Sequence, residues 1–264
     1  PVPVGGPIVR VTDAKKYYYS IVRGVVKAVD GVTFDIKEKE IFGLVGLSGA
    51  GKTTLSRMIA GITSGTGGNV EVRIGDDWVS MYDPGEFGRG RATPYIGLLH
   101  QEYSLYPFNT VLQNLTNCIG LKMPAEFGKM KAIQVLNGVG FDKKDVEKIL
   151  YAYPDTLSVG EKQRVAMATV LIREPRIVIL DEPTGTMDPI TKINVAKSIL
   201  TARKELGETF IIVSHDMDFV VNCCDRAAIM KGGKVAAEGD PKEIVAHMTA
   251  EEREEMMKSG VEVA

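Results

Sequence analysis

Cysteine, histidine and tryptophan are scarce in these 264 residues, at three, three and one. Cys118, Cys223 and Cys224 are odd in number and lack C-x-x-C spacing. That argues against a disulfide framework and a cysteine zinc site, and fits buried thiols in a reducing compartment. No apolar run is long enough to span a bilayer and no signal peptide is recognisable, so the chain is expected to be soluble and cytoplasmic. Charge of one sign is lacking too. Lys+Arg 32 against Asp+Glu 34 gives a net charge of -2, which offers no general case for nucleic acid or an anionic membrane. No internal repeat is visible. What remains is a 44% hydrophobic chain able to bury a large core, as one domain or as a core with a subdomain. Its start, Pro1–Pro7, has linker composition and is expected to join it to a longer polypeptide.

One glycine-rich stretch organises the rest. The apolar run Ile41–Val45 reads as a buried strand and Leu55–Ala60 as helical. Between them lies Gly46-Leu47-Ser48-Gly49-Ala50-Gly51-Lys52-Thr53-Thr54, the G-x-x-x-x-G-K-[ST] pattern in its required strand–loop–helix context. Glycines let the backbone curl so that several N–H groups point at one anion. Lys52 supplies a point charge for β- and γ-phosphates, and the Thr53 hydroxyl can hold Mg²⁺. The following helix directs its positive end to the same phosphates.

Ile8–Tyr19 and Val25–Ile36 alternate as strands around a turn at Ser20–Gly24, giving an antiparallel sheet ahead of this loop. Val70–Ile74 and Ile96–Leu99 are further strands, and Asp76–Pro94, rich in Gly, Pro and charge, reads as a loop. Residues 111–152 are helical, with breaks at Pro124 and Gly140. Ser158 and Glu161 have capping-box spacing for a helix running to about Arg173, which alone would mean only a well-capped helix. Arg176–Leu180 is a buried-strand run ending in Asp181-Glu182. Ile190–Leu206 is a helix, and Thr209–Ser214 a strand ending at His215. Arg226–Met230 and Lys234–Ala237 form a hairpin, and the tail from Lys242 to Lys258 is helical. Strands alternating with helices, with acids and His at strand ends, describe a parallel α/β sheet with ligands along that edge. There Asp181 can position Mg²⁺, Glu182 can orient the attacking water, and His215 can contact phosphate, although a lone His is usually structural.

In this order the motifs resemble those of the ATP-binding cassette (ABC) ATPases over nearly the whole chain. Tyr17, after Lys15-Lys16, matches the aromatic that stacks on adenine, with Tyr18 and Tyr19 as alternatives. Gly46–Thr54 matches Walker A, and Gln101 matches the Q-loop, which implies both a catalytic and a metal-binding part for it. Leu157–Glu161 matches the signature, Ile177–Glu182 matches Walker B, Thr186–Asp188 the D-loop, and His215 the switch histidine. The resemblance implies a P-loop NTPase fold with a RecA-like parallel core, an N-terminal antiparallel β subdomain and an inserted α-helical subdomain. The expected division is 7–100 and 165–240 for the core, 101–164 for the helical part with the signature, and 241–264 for a helical tail. It also implies Mg-ATP hydrolysis between two cassettes paired head to tail, with Ser158 and Gly160 serving the P-loop of the second cassette. Val159 and Glu161 depart from the usual Leu-Ser-Gly-Gly-Gln, so the site that borrows this signature is expected to be slower.

The runs Gly88–Tyr106 and Asp181–Pro189 carry a closer resemblance. It is to the C-terminal cassette of the tandem ATP-binding component of the methyl-coenzyme M reductase activation system of methanogenic archaea. Its implied partner is that reductase with its activation complex. The alternatives are a nucleotide-binding subunit of a membrane transporter and, less favoured without a long charged linker, a ribosome-bound factor of the same superfamily.

Overall fold

The computed structural model describes residues 5–47, 49–120 and 123–259. Of the expected linker, residues 1–4 lie outside that set, and Pro7 already opens the first strand.

Alternating apolar residues build β1 (Pro7–Ser20) and β2 (Gly24–Lys37), a long antiparallel hairpin. β4 (Gly67–Ile74) pairs with the other edge of β1. The stretch expected as a loop begins instead with a strand, β5 (Asp77–Ser80), held to β4 through Val72 opposite Val79. Only then does it become irregular, with 3-10 turns at Arg89–Arg91 and Thr93–Tyr95. Four alternating residues between a positive-φ glycine, Gly75, and a Pro/Gly cluster are too few to stand out as a strand without the partner edge.

The second sheet has six strands. β3 (Ile41–Gly46) is flanked by β8 (Thr209–Ser214) and β9 (Arg226–Lys231), and β7 (Ile177–Asp181) and β6 (Ile96–Leu99) continue beyond β8. All of these pairings are parallel. Only the outermost strand, β10 (Lys234–Gly239), runs antiparallel, so the expected hairpin feeds one strand into the central sheet.

Both faces of this sheet are covered, which is why its strands read as continuous apolar runs. On β8, Phe210 and Ile212 face one cluster while Ile211 and Val213 face the other. The first cluster packs against α2 (Val111–Asn117), α3 (Ala125–Gly138), α5 (Val159–Leu171) and α6 (Pro189–Leu206), with α4 (Lys143–Leu150) alongside. The breaks at Pro124 and Gly140 (φ 101°) fall where expected. The second cluster encloses α1 (Lys52–Ile59) between the central sheet and the antiparallel one.

A helix not expected from the sequence, α7 (Met217–Cys223), starts at Asp216, whose carboxylate accepts from the Phe219 N–H at 3.1 Å. The tail divides into α8 (Pro241–His247) and α9 (Ala250–Ser259), because Met248 is extended and Thr249 opens a new capping box with Glu252. Cys223 and Cys224 are buried free thiols and Cys118 is half-buried. Among the described residues no helix is long and apolar enough to cross a membrane.

Candidate functional site

Parallel strands bring their C-terminal ends to one edge, and the loops leaving β3, β6, β7 and β8 meet there. They enclose a cleft of about 560 Å³ whose floor is the β3–α1 loop. In that loop Gly49 and Gly51 have φ of 81° and 97°, backbone that residues with a Cβ rarely adopt. A Cβ on Gly51 would also collide with the Ala28 carbonyl oxygen, and one on Gly46 would lie 2.7 Å from the Met230 carbonyl oxygen. The loop is therefore clamped between β2 and β9 as well as curled on itself, with Gly233 N–H donating to the Ala50 carbonyl at 3.0 Å.

Lys52, the first residue of α1, is 6% exposed, which is rare for a lysine without a partner. Its Nζ lies 2.5 Å from Glu182 Oε1. His215 Nδ1 approaches the other oxygen, Oε2, at 2.9 Å, outside hydrogen-bond alignment. Burial pushes the Glu182 carboxyl upward, but the His215 and Lys52 contacts outweigh it and hold the carboxyl below its ordinary value. Glu182 also has a positive φ of 48°, while its N–H donates to the Val213 carbonyl at 2.7 Å. Backbone strain of this kind, on the order of 1 kcal/mol, is kept where surrounding structure fixes it. Asp181 moves the opposite way. Burial and the adjacent Glu182 raise its carboxyl despite Lys52, His100 and Arg57.

Gly49, Gly51, Lys52, Thr53, Thr54, Gln101, Asp181, Glu182 and His215 all line this one cleft. Gly46 and Ala50 lie at its back, where they also line a smaller cavity with Met230. Ser48 lies outside the described residues. Among the described residues the tyrosine lining the cleft is Tyr18, one of the alternatives to Tyr17, which is not in the lining. Successive side chains of a strand point to opposite faces, so one residue decides which tyrosine enters. Tyr17 turns its hydroxyl to Asp30 Oδ1 at 2.5 Å. Register breaks at Lys16/Tyr17, a feature that plain alternation cannot show. Sequence reasoning also missed Lys27, Gly185, Thr186 and Gly232 as lining residues. Of these, Thr186 lay within a recognised motif, whereas Lys27 and Gly232 reach the cleft only through tertiary packing.

Ser158 and Gly160 are not among the residues lining the cleft. Ser158 caps α5, accepting from the Glu161 N–H at 3.2 Å, and the Glu161 carboxylate folds back to accept from the Ser158 N–H at 2.9 Å. Val159 is 60% exposed, and Gly160 lies over Thr191 at the start of α6. Ser158 and Val159 thus stand exposed at a helix start, outside the lining of the cleft.

A family model described as ABC transporter matches residues 29–185. An uncharacterised ABC transporter ATP-binding protein of Methanocaldococcus jannaschii is 58% identical over 249 residues, 94% of this chain but 46% of that protein. The chain therefore spans about half the length of this relative. A structure of cbiO1 from Clostridium perfringens, described as part of an ABC transporter complex, superposes with a TM-score of 0.79 at 30% identity, covering 92% of each chain. A dimeric ATP-binding cassette in a post-hydrolysis state with ADP and Pi superposes with a TM-score of 0.71 at 26% identity, covering 89% of this chain and 99% of that one.

Proposed function

The chain belongs to the ABC transporter family, and from that premise we propose that it is an ATP hydrolase working as one half of a head-to-tail pair of cassettes. One observation carries this reading. Lys52, Glu182 and His215 converge in a cleft that Ser158 and Gly160, the remaining phosphate ligands expected of such an enzyme, do not reach.

The β3–α1 loop holds the phosphates on backbone N–H groups, and Tyr18 stacks on the adenine. Lys52 exchanges the Glu182 carboxylate for the β- and γ-phosphates, which leaves Glu182 free to orient a water and accept its proton. The water oxygen attacks the γ-phosphorus as the bond to the β–γ bridging oxygen breaks. His215 and Gln101 hold the γ-phosphate and the water in line. Asp181, Thr53 and Gln101 all line the cleft and would hold magnesium, with Asp181 as the single carboxylate and phosphates and water filling the rest of the shell. When bound, the ion neutralises charge that develops on the phosphate oxygens.

For the biological role, the proposal is a soluble tandem-cassette protein that drives ATP-dependent activation of methyl-coenzyme M reductase. The motif resemblance around Gln101 and Asp181–Pro189 supports it, as does a relative of about twice this length from Methanocaldococcus. The transporter-subunit reading is favoured instead by the likeness to cbiO1. Capture of the full-length protein from native lysate with its bound proteins separates them. Recovery of the reductase is the expected result, and recovery of a polytopic membrane protein in its place overturns it.

A further inference from the structure

The opposite edge of the central sheet holds a second cavity, of about 450 Å³, at the N-terminal ends of β7 and β8. Strands of five and six residues separate it from the nucleotide cleft by roughly 15–20 Å. Its most buried carboxyl group is Glu208, just ahead of β8 and 7% exposed. Among the described residues the buried Glu208 Oε2 has no hydrogen-bond partner, a costly state for a carboxyl group. Burial pushes this carboxyl up to about 8, with Glu174 adding to the rise and Arg176 opposing it.

The rest of the lining limits what can supply the missing donor. Four carboxyls (Glu38, Glu174, Glu205 and Glu208) face two cations, Lys131 and Arg176. Glu174 is paired with Lys131 at 3.3 Å, and Glu38 with Arg73 outside the cavity at 3.1 Å. Glu205 is exposed at the rim and, among the described residues, has no ion pair. Ile8, Leu171, Ile172 and Leu206 add apolar surface to the lining. Among the described residues no group of three or more His, Cys, Asp or Glu is placed to hold a metal ion. A cavity of this size lies within the range of small-molecule sites.

We propose that this cavity binds a linear aliphatic diamine, with one ammonium on Glu208, the methylenes along that apolar surface and the second ammonium at the Glu205 rim. The first ammonium supplies the donor that Glu208 lacks, and Glu208 releases its proton to solvent as the ion pair forms. The site is independent of the nucleotide chemistry.

Titration calorimetry with 1,4-diaminobutane, against sodium chloride of equal ionic strength, tests it. Binding is expected to tighten roughly 20-fold between about pH 6.5 and about pH 8.5, as Glu208 becomes easier to ionise. Glu208→Gln is expected to weaken it at least tenfold and to remove the pH dependence. Gln134→Trp, at the exposed mouth, is expected to block entry without altering the core. ATP affinity stays unchanged in both variants. No binding by the wild-type protein at millimolar diamine, or equal binding by wild type and both variants, overturns the proposal.

Discussion

At the scale of single residues, the hardest-working group is the Glu182 carboxylate, which holds Lys52 on one oxygen and His215 on the other. These contacts lower its pKa and keep it ionised before nucleotide arrives. Glu182→Gln should retain ATP and lower turnover by a factor of about 100 or more, read as phosphate release. Normal turnover in that variant would remove Glu182 from the role. Lys52→Ala should weaken ATP binding by roughly tenfold or more, since it removes a charge-assisted contact to phosphate. Unchanged affinity in a nucleotide titration contradicts the assignment of the loop.

Glu208 offers a test of stability. Its folded-state pKa, about 8, is raised above the ordinary value of 4.5, so the unfolded chain loses this proton first as pH rises. The wild-type protein should therefore lose stability between about pH 4.5 and about pH 8, by on the order of 1 kcal/mol per pH unit, with no further loss above. Glu208→Gln has no such proton, so its Tm should exceed that of wild type by a margin that widens across this window. A gap that stays constant with pH counts against the buried, unpartnered carboxyl.

At the scale of elements, the start of α5 shows how one sequence pattern serves two purposes. Ser158 and Glu161 close a capping box, and the same residues form the signature. The Glu161 carboxylate is turned back to the Ser158 N–H. Gln can make the same cap, whereas Val159→Gly costs about 0.5–1 kcal/mol of helix stability. The double variant Val159→Gly with Glu161→Gln should fold with slightly reduced stability and raise turnover at the site that borrows this signature. Single-turnover rates in a pair with one catalytic glutamate replaced report that site alone, and an unchanged rate there refutes the slow-site reading.

At the scale of the whole molecule, the proposed head-to-tail pair takes half of each reaction centre from the second cassette. ATP that favours a closed pair should make association depend on nucleotide. Glu182→Gln, which binds without hydrolysing, should form a stable pair with ATP and fall apart with ADP in light scattering. A population that remains monomeric under saturating ATP argues against head-to-tail closure of this chain with itself.

The sequence alone determined the elements whose signals are local. A P-loop announces itself because a curled loop needs glycines at fixed offsets between a strand and a helix, and the buried strands announce themselves because both faces must be apolar. Asp181, Glu182 and His215 were legible for the same reason, as polar residues that end such strands. Tertiary structure alone decided what depends on partners distant in sequence. The edge strand β5 exists because β4 is there to pair with it, and a register break in β1, invisible to alternation, places Tyr18 and not Tyr17 in the cleft. The Lys52–Glu182 contact joins residues 130 positions apart. The unpartnered Glu208 became visible only once three helices and a sheet edge closed around it. Burial and pairing across such distances follow from packing, and no local pattern carries them.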